Sequence, residues 1–99
     1  MSSPPRKLYV PHGVADLVRG LHPQLKKKIK AGLRLIVEEP DAGKPLRAEL
    51  EGLRSLRVGR FRIVYRLAAR SRNIEILAIG PRERIYEETF RLIQREQRR

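Results

Sequence analysis

Residues 53–67 read LRSLRVGRFRIVYRL, and from residue 56 onward apolar side chains take every second position on each side of the Gly59-Arg60 pair. Alternation with a period of two is typical of half-buried β-strands. A two-residue loop with glycine first suits the primed turn of a β-hairpin. The stretch therefore predicts two antiparallel strands joined at Gly59-Arg60.

A two-residue turn also fixes which residues face each other. The predicted pairs are Val58–Phe61, Arg57–Arg62 and Leu56–Ile63. This register puts all four apolar side chains on one face of the hairpin and the two arginines on the other. Like charges directly opposite each other destabilise a sheet, so we expect the arginine pair to hold something negative.

The surrounding segment, residues 52–74, contains seven arginines and neither Asp nor Glu. These arginines cannot form ion pairs within the segment. Phosphate is the natural ligand, because the guanidinium group offers forked donors that match its oxygens. A solvated basic face with no catalytic role is the alternative interpretation.

Outside the hairpin, apolar residues at helical spacing predict three helices, and a mostly apolar run at 74–79 predicts a strand buried on both faces. Residues 40–52 read as a loop, and Gly80-Pro81 is expected to end the last strand. The predicted order is β (8–10), α (14–21), α (25–36), β (53–58), β (61–67), β (74–79) and α (from 83, with Tyr86, Phe90 and Ile93 as its apolar stripe). We expect a small single α+β domain, with a helical hairpin packed on a mostly antiparallel curved sheet and a C-terminal helix. A loose lead-in (1–7) precedes this domain (8–95), and a basic tail (96–99) follows it.

The composition limits the classes of function. The 99 residues fit one domain, and 23 Lys+Arg against 11 Asp+Glu give a net charge of +12, which favours a polyanionic partner. The absence of cysteine excludes disulfides and thiolate nucleophiles, and two histidines cannot build a His-rich zinc site, so no metal or other cofactor is predicted. No apolar run approaches the roughly 20 residues of a membrane span, and the N-terminus lacks a signal-peptide stretch. We expect a cytoplasmic protein.

Two segments carry a family resemblance: 56–66, LRVGRFRIVYR, and 76–86, ILAIGPRERIY. Together they resemble the core of the RelE/ParE toxin superfamily, in which Arg-Val-Gly ends one strand and an aromatic-Arg pair opens the next. An apolar strand then closes with Gly-x-Arg, and a tyrosine follows on the last helix. The resemblance covers roughly residues 8–93, and within the superfamily the sequence is most similar to the RelE-like branch.

This resemblance implies the toxin component of a type II toxin–antitoxin system. RelE-like members are ribosome-dependent, metal-independent endoribonucleases (mRNA interferases) that cleave mRNA in the ribosomal A site. It further implies an acidic cognate antitoxin in a toxin–antitoxin hetero-oligomer, with the ribosome and mRNA as the other partners. The catalytic residues that it implies are Arg57, Arg62, Arg82 and Tyr86. Ser55 departs from the pattern, because some RelE-like members carry a second basic residue there. The alternative is a ParE-like, non-enzymatic DNA gyrase inhibitor, or a degenerate member that only binds RNA or its antitoxin.

Tyr86 has three open interpretations. RNA cleavage by the adjacent 2′-hydroxyl needs charge stabilisation, a proton acceptor and a proton donor, and arginine serves only the first need. Tyr86 is the one titratable residue expected near the arginines, so its hydroxyl is a candidate for proton transfer. It could instead stack on an unpaired base. As a third possibility, it belongs to the core with Phe90 and Ile93.

Further basic residues are predicted to contact RNA or the ribosome. On the second helix a lysine-rich run would steer the protein towards ribosomal RNA, although such runs are often only solvated. His12 and His22 are expected at the surface or in helix caps. The predicted contact residues are Lys26, Lys27, Lys28, Lys30, Arg34, Arg54, Arg60, Arg66 and Arg84.

Overall fold

A computed structural model describes residues 7–68 and 70–97 of the chain. In this part, three helices accompany one five-stranded sheet of order β1-β5-β4-β3-β2, in which only β1 and β5 are parallel. The elements are β1 (Leu8–Tyr9), α1 (His12–Arg19), α2 (Pro23–Glu38), β2 (Lys44–Pro45), β3 (Arg54–Val58), β4 (Phe61–Leu67), β5 (Ile74–Pro81) and α3 (Arg82–Gln97), with 3-10 turns at Pro40–Ala42 and Ala48–Leu50. The predicted α+β class and the mostly antiparallel sheet are confirmed. Most of the predicted lead-in, residues 1–6, and the last two residues of the predicted basic tail, 98–99, lie outside the described residues.

The central hairpin has the predicted register. Leu56 pairs with Ile63, and Arg57 pairs with Arg62. Gly59 has a φ of +59°, a value that glycine adopts without steric cost, as the first position of a primed turn requires. The turn therefore sets which face each side chain of β3 and β4 occupies.

One face of the sheet packs against α1 and α2. His22 caps α2 by accepting a hydrogen bond from the Gln24 N–H at its Nδ1 (3.3 Å), and Pro23 opens the helix. Ile29 and Ile36 of α2 are fully buried against this face. Gly32 lets the helix approach closely, since a Cβ there would come within 2.9 Å of Val58. This cluster fixes α2 over the hairpin.

The opposite face packs against α3, in a way that corrects two predictions. β5 continues through Pro81, and α3 begins at Arg82, so the Gly80-Pro81 pair belongs to the strand. The buried residues of α3 are Ile85 and Thr89 rather than the predicted stripe of Tyr86, Phe90 and Ile93. Thr89 is tolerated in the core because its hydroxyl donates to the Ile85 carbonyl (2.7 Å). The stripe is shifted by one residue, and its predicted members are only half-buried.

Tyr65 attaches the loop after α2 to the sheet. Its ring is fully buried, and its hydroxyl donates to the Pro40 carbonyl (2.6 Å) and accepts from the Gly43 N–H (2.9 Å). Arg54 donates to the Gly43 carbonyl (2.7 Å) from the neighbouring strand. Burial raises the pKa of the Tyr65 phenol, although the bond from Gly43 and the charge of Arg54 oppose this effect.

The Tyr65→Phe variant tests this attachment. The substitution leaves the Gly43 N–H and the Pro40 carbonyl without their partner, so we expect a loss of about 1–3 kcal/mol in the free energy of unfolding at pH 7. Because the pKa of Tyr65 is raised in the folded state, the unfolded chain ionises this tyrosine more readily above pH about 10, so the wild type loses this contribution as pH rises. Urea unfolding at pH 7 and pH 10.5 should show the gap between the two proteins shrinking. A gap that stays constant with pH would contradict the account.

Candidate active site

The three arginines predicted to be catalytic meet at one end of the sheet, on the face that carries α3. Arg57 and Arg62 lie opposite each other on β3 and β4, and the next strand places Gly80 beside Arg62, where it adds no side chain. Arg82 follows directly as the first residue of α3, and its N–H donates to the Arg60 carbonyl (3.3 Å). This bond ties the start of the helix to the hairpin turn. The result is a cleft of about 260 Å³, lined by Arg57, Gly59, Arg60, Phe61, Arg62, Arg82 and Glu83.

The arginines of this cleft are not neutralised from within. In residues 7–68 and 70–97, none of Arg57, Arg60, Arg62 and Arg82 forms a salt bridge. Among the described residues, Arg57 donates only to the Gly59 carbonyl (3.3 Å). The Arg62 Nε is buried and has no hydrogen-bond partner in the described part of the chain. A buried charged donor without a partner is costly, and an anionic ligand is the group that would satisfy it.

Tyr86 lies next to the cleft rather than in its lining. It is half-buried in the cluster under α3, and its hydroxyl is 3.3 Å from the Ser55 Oγ. Ser55 is buried and precedes Arg57 by two positions on the same face of β3. Ser55, the residue that departs from the family pattern, thus contacts the predicted catalytic tyrosine directly.

Glu83 is a residue of the cleft that the sequence analysis did not single out. It lines the cleft beside the arginines, and its exposed carboxylate forms no salt bridge in the described residues. Its place directly after Arg82, in the Gly-x-Arg segment, is the sequence feature that indicates a position near the arginines. Acidic residues are common in the first turn of a helix because they complement the helix dipole, so the residue type alone does not indicate a functional role.

Two of the predicted RNA contacts have partners within the chain. Arg54 lies 3.5 Å from an Asp41 carboxylate oxygen besides donating to Gly43, and so supports the loop. Arg66 pairs with Glu75 (3.2 Å) and Glu96 (3.5 Å), which joins the sheet to the end of α3. Burial opposes the charge of Arg66, but the two carboxylates together raise its pKa. Both arginines have structural roles, and their contact with RNA stays a prediction.

The lysine-rich run lies on a different surface. Because α2 covers the other face of the sheet, its basic residues are separated from the arginine cleft by the sheet. Lys27, Lys28, Lys30 and Arg34 are exposed and Lys26 is half-buried, while Arg84 is exposed on α3. The expected capping role is confirmed for His22. His12 is the exposed first residue of α1.

Two features are absent from the part of the chain that the structure describes. No group of three His, Cys, Asp or Glu residues there could hold a metal ion. No helix among the same residues is long and apolar enough to cross a membrane.

Residues 14–86 match the model of a family described as the ParE toxin of the type II toxin–antitoxin system parDE. The chain belongs to the ParE toxin family. It is therefore a type II toxin of the RelE/ParE superfamily, as the resemblance implied. No curated protein matches the sequence.

Solved structures of toxins have a similar fold. The toxin–antitoxin complex RelBE2 of Mycobacterium tuberculosis includes a chain with 28% identity, covering 79% of this toxin and 99% of that chain, at a TM-score of 0.69. A double arginine-to-alanine mutant of the E. coli toxin RelE in the free state has 21% identity, coverages of 90% and 98%, and a TM-score of 0.71. The YoeB/ParE toxin of Agrobacterium tumefaciens has 23% identity, coverages of 76% and 96%, and a TM-score of 0.66. The last two likenesses show the fold.

The unpartnered guanidinium predicts a gain in stability when it is removed. In the Arg62→Met variant an apolar chain of similar length replaces the buried donor and ends its repulsion from Arg57. We expect the free energy of unfolding to rise by about 1–3 kcal/mol, the usual cost of an unsatisfied buried group. The matched control is Arg57→Met, which ends the same repulsion at an exposed side chain. Urea unfolding should rank Arg62→Met above both the control and the wild type, and a destabilised Arg62→Met would contradict this assignment.

Proposed function

We propose that this toxin is a metal-independent, ribosome-dependent endoribonuclease that cleaves mRNA in the A site by attack of a 2′-hydroxyl on the scissile phosphate. The observation that carries the proposal is the arginine cleft. Arg57, Arg62 and Arg82 line one cleft without carboxylate partners in the described residues, and the Arg62 Nε is buried with its donor unused. Such a site is suited to an RNA phosphate.

The chemistry follows from the charge that develops during cleavage. The 2′-oxygen bonds to phosphorus and the 5′-oxygen leaves, which yields a 2′,3′-cyclic phosphate and a 5′-hydroxyl. The crowded phosphorane between these states carries extra negative charge. Guanidinium groups that are already in place around it stabilise this state without having to reorganise. Arg57, Arg62 and Arg82 take this role.

Tyr86 would act through its hydroxyl. The bond to Ser55 holds the phenol on the face of β3 that carries Arg57, because Ser55 precedes Arg57 by two positions on that strand. A hydroxyl there can take part in proton transfer. The ring itself packs under α3 with Ile85 and its neighbours, so removing only the oxygen should leave the packing intact.

The proposed partner in the cell is an acidic antitoxin. Several similar structures are toxin–antitoxin complexes, among them RelBE of E. coli and the archaeal RelE–RelB complex of Pyrococcus horikoshii OT3. With a net charge of +12, this toxin attracts an acidic partner over long range. We place the resulting hetero-oligomer in the cytoplasm, where the ribosome and mRNA are also available.

Inhibition of DNA gyrase is the second candidate, and the match to the ParE family model favours it. Gyrase binding would need the basic surface but no phosphorane chemistry. Purified toxin in a supercoiling assay distinguishes the two functions. We expect supercoiling to continue while translated mRNA is cut. Blocked supercoiling with intact mRNA would replace our proposal by this one.

Alanine substitutions separate catalysis from binding. Arg62→Ala and Arg82→Ala should each lower single-turnover cleavage of a translated message by about 10²–10³-fold, the usual cost of losing one donor to the transition state. The Lys26→Ala/Lys28→Ala double variant, on the other face of the sheet, should weaken ribosome binding and its salt dependence but leave cleavage by the bound toxin nearly unchanged. The reverse result would place the active site on α2.

The Tyr86→Phe variant tests the hydroxyl. We expect the single-turnover rate to fall by roughly 10²-fold while ribosome binding stays unchanged, because proton transfer is lost and the ring is kept. Tyr86→Ala serves as the comparison: a stacking role would cost about 1–3 kcal/mol of RNA affinity in this variant only. Full cleavage by Tyr86→Phe would exclude a direct role for the hydroxyl.

A further inference from the structure

Cleavage by a 2′-hydroxyl needs a group that takes up its proton, and the arginines of the cleft cannot do so. A guanidinium group has a pKa above 12 and offers only donors at neutral pH. The Tyr86 hydroxyl, which contacts Ser55 beside the cleft, is assigned to the leaving 5′-oxygen as its proton donor. The proposed reaction therefore leaves the proton acceptor to be found among the other lining residues.

Glu83 is the carboxylate that lines this cleft. It follows Arg82 in the first turn of α3, and the described residues show neither a hydrogen bond nor a salt bridge to its side chain. The other three glutamates of α3 are engaged or lie elsewhere: Glu87 pairs with Arg91, Glu96 pairs with Arg66, and Glu88 lines a different cleft, beside Leu77 and Ile79. The carboxylate of Glu83 is thus exposed, close to the proposed phosphate site and available to a ligand.

We propose that Glu83 is the proton acceptor of the cleavage reaction, an inference that rests on the function proposed above. A Glu83 carboxylate oxygen takes the proton of the 2′-hydroxyl as the 2′-oxygen forms its bond to phosphorus. The bond from phosphorus to the 5′-oxygen breaks. The leaving oxygen takes a proton from the Tyr86 hydroxyl, or from water in a Tyr86→Phe variant. Both side chains then exchange protons with solvent, so the site returns to its starting state.

Two other roles for Glu83 give different results in the same assay. A carboxylate can accept hydrogen bonds from the amino group of cytosine and so select a base, in which case its removal would weaken binding of particular messages. It can also simply complement the positive end of the α3 dipole, in which case its removal would change stability alone. A proton acceptor differs from both, because its loss slows the chemical step in the bound complex.

The experiment compares Glu83→Gln with Glu87→Gln as its matched control. Each variant removes one negative charge from α3, but Glu87 is exposed one turn further on and does not line the cleft. Single-turnover cleavage of a translated message should be at least about 10²-fold slower in Glu83→Gln and unchanged in Glu87→Gln. Binding to the ribosome–message complex should be equal or tighter in Glu83→Gln, since the cleft becomes more positive. Glu83→Asp, which keeps a carboxylate, should cleave faster than Glu83→Gln.

Four results would overturn the inference. Wild-type rates in Glu83→Gln would show that the acceptor lies elsewhere while the ribonuclease itself stands. A loss of cleavage that follows a loss of binding, or a Gln variant as fast as the Asp variant, would assign Glu83 to recognition or stability. Wild-type toxin that leaves the message intact would refute the proposed function. The wild-type reaction therefore tests the ribonuclease activity, and the Glu83 variants test the proton acceptor separately.

Discussion

Arg57 and Arg62 face each other across the central hairpin, and the rest of the site is built around this unfavourable pair. The turn at Gly59 fixes the pairing, so the two charges cannot be separated without breaking the apolar register on the other face. In a chain selected only for stability, we would expect each arginine to have a carboxylate partner or to be replaced by another residue. The buried, unused Nε of Arg62 shows that the chain keeps a costly donor at this place. An anion such as an RNA phosphate would reduce the repulsion between the two guanidinium groups and accept a hydrogen bond from the Arg62 Nε.

The remainder of the fold holds that pair in position. The core under α1 and α2 fixes the hairpin from one side, and the cluster under α3 fixes it from the other. Because β5 runs straight into α3 at Arg82, a third guanidinium and the Glu83 carboxylate enter the same cleft. Arg66 joins the far end of α3 to the sheet through Glu96. The cleft thus lies on rigid elements, which suits chemistry that depends on fixed charges.

Local rules were sufficient to predict the hairpin, its register and the facing Arg57–Arg62 pair, because turn length and alternation determine them within a few residues. The place of Arg82 beside this pair was implied only by the family resemblance. The buried stripe of α3 was displaced by one position, because Thr89 enters the core with its hydroxyl bonded to the Ile85 carbonyl. The partners of Arg54 and Arg66 come from the loop and from α3, and charge counts within one segment could not find them. Glu83 was missed for a similar reason, since only the geometry of the strand-to-helix junction brings it to the arginines.

The ends of the RNA product test the central claim most directly. When purified toxin acts on a message held in translating ribosomes, the account predicts a cut within the A-site codon. The upstream fragment should carry a 2′,3′-cyclic phosphate, and the downstream fragment a 5′-hydroxyl. Fragments with a 5′-phosphate would require a different nucleophile, and an uncut message would show that the arginine cleft binds an anion without cleaving it.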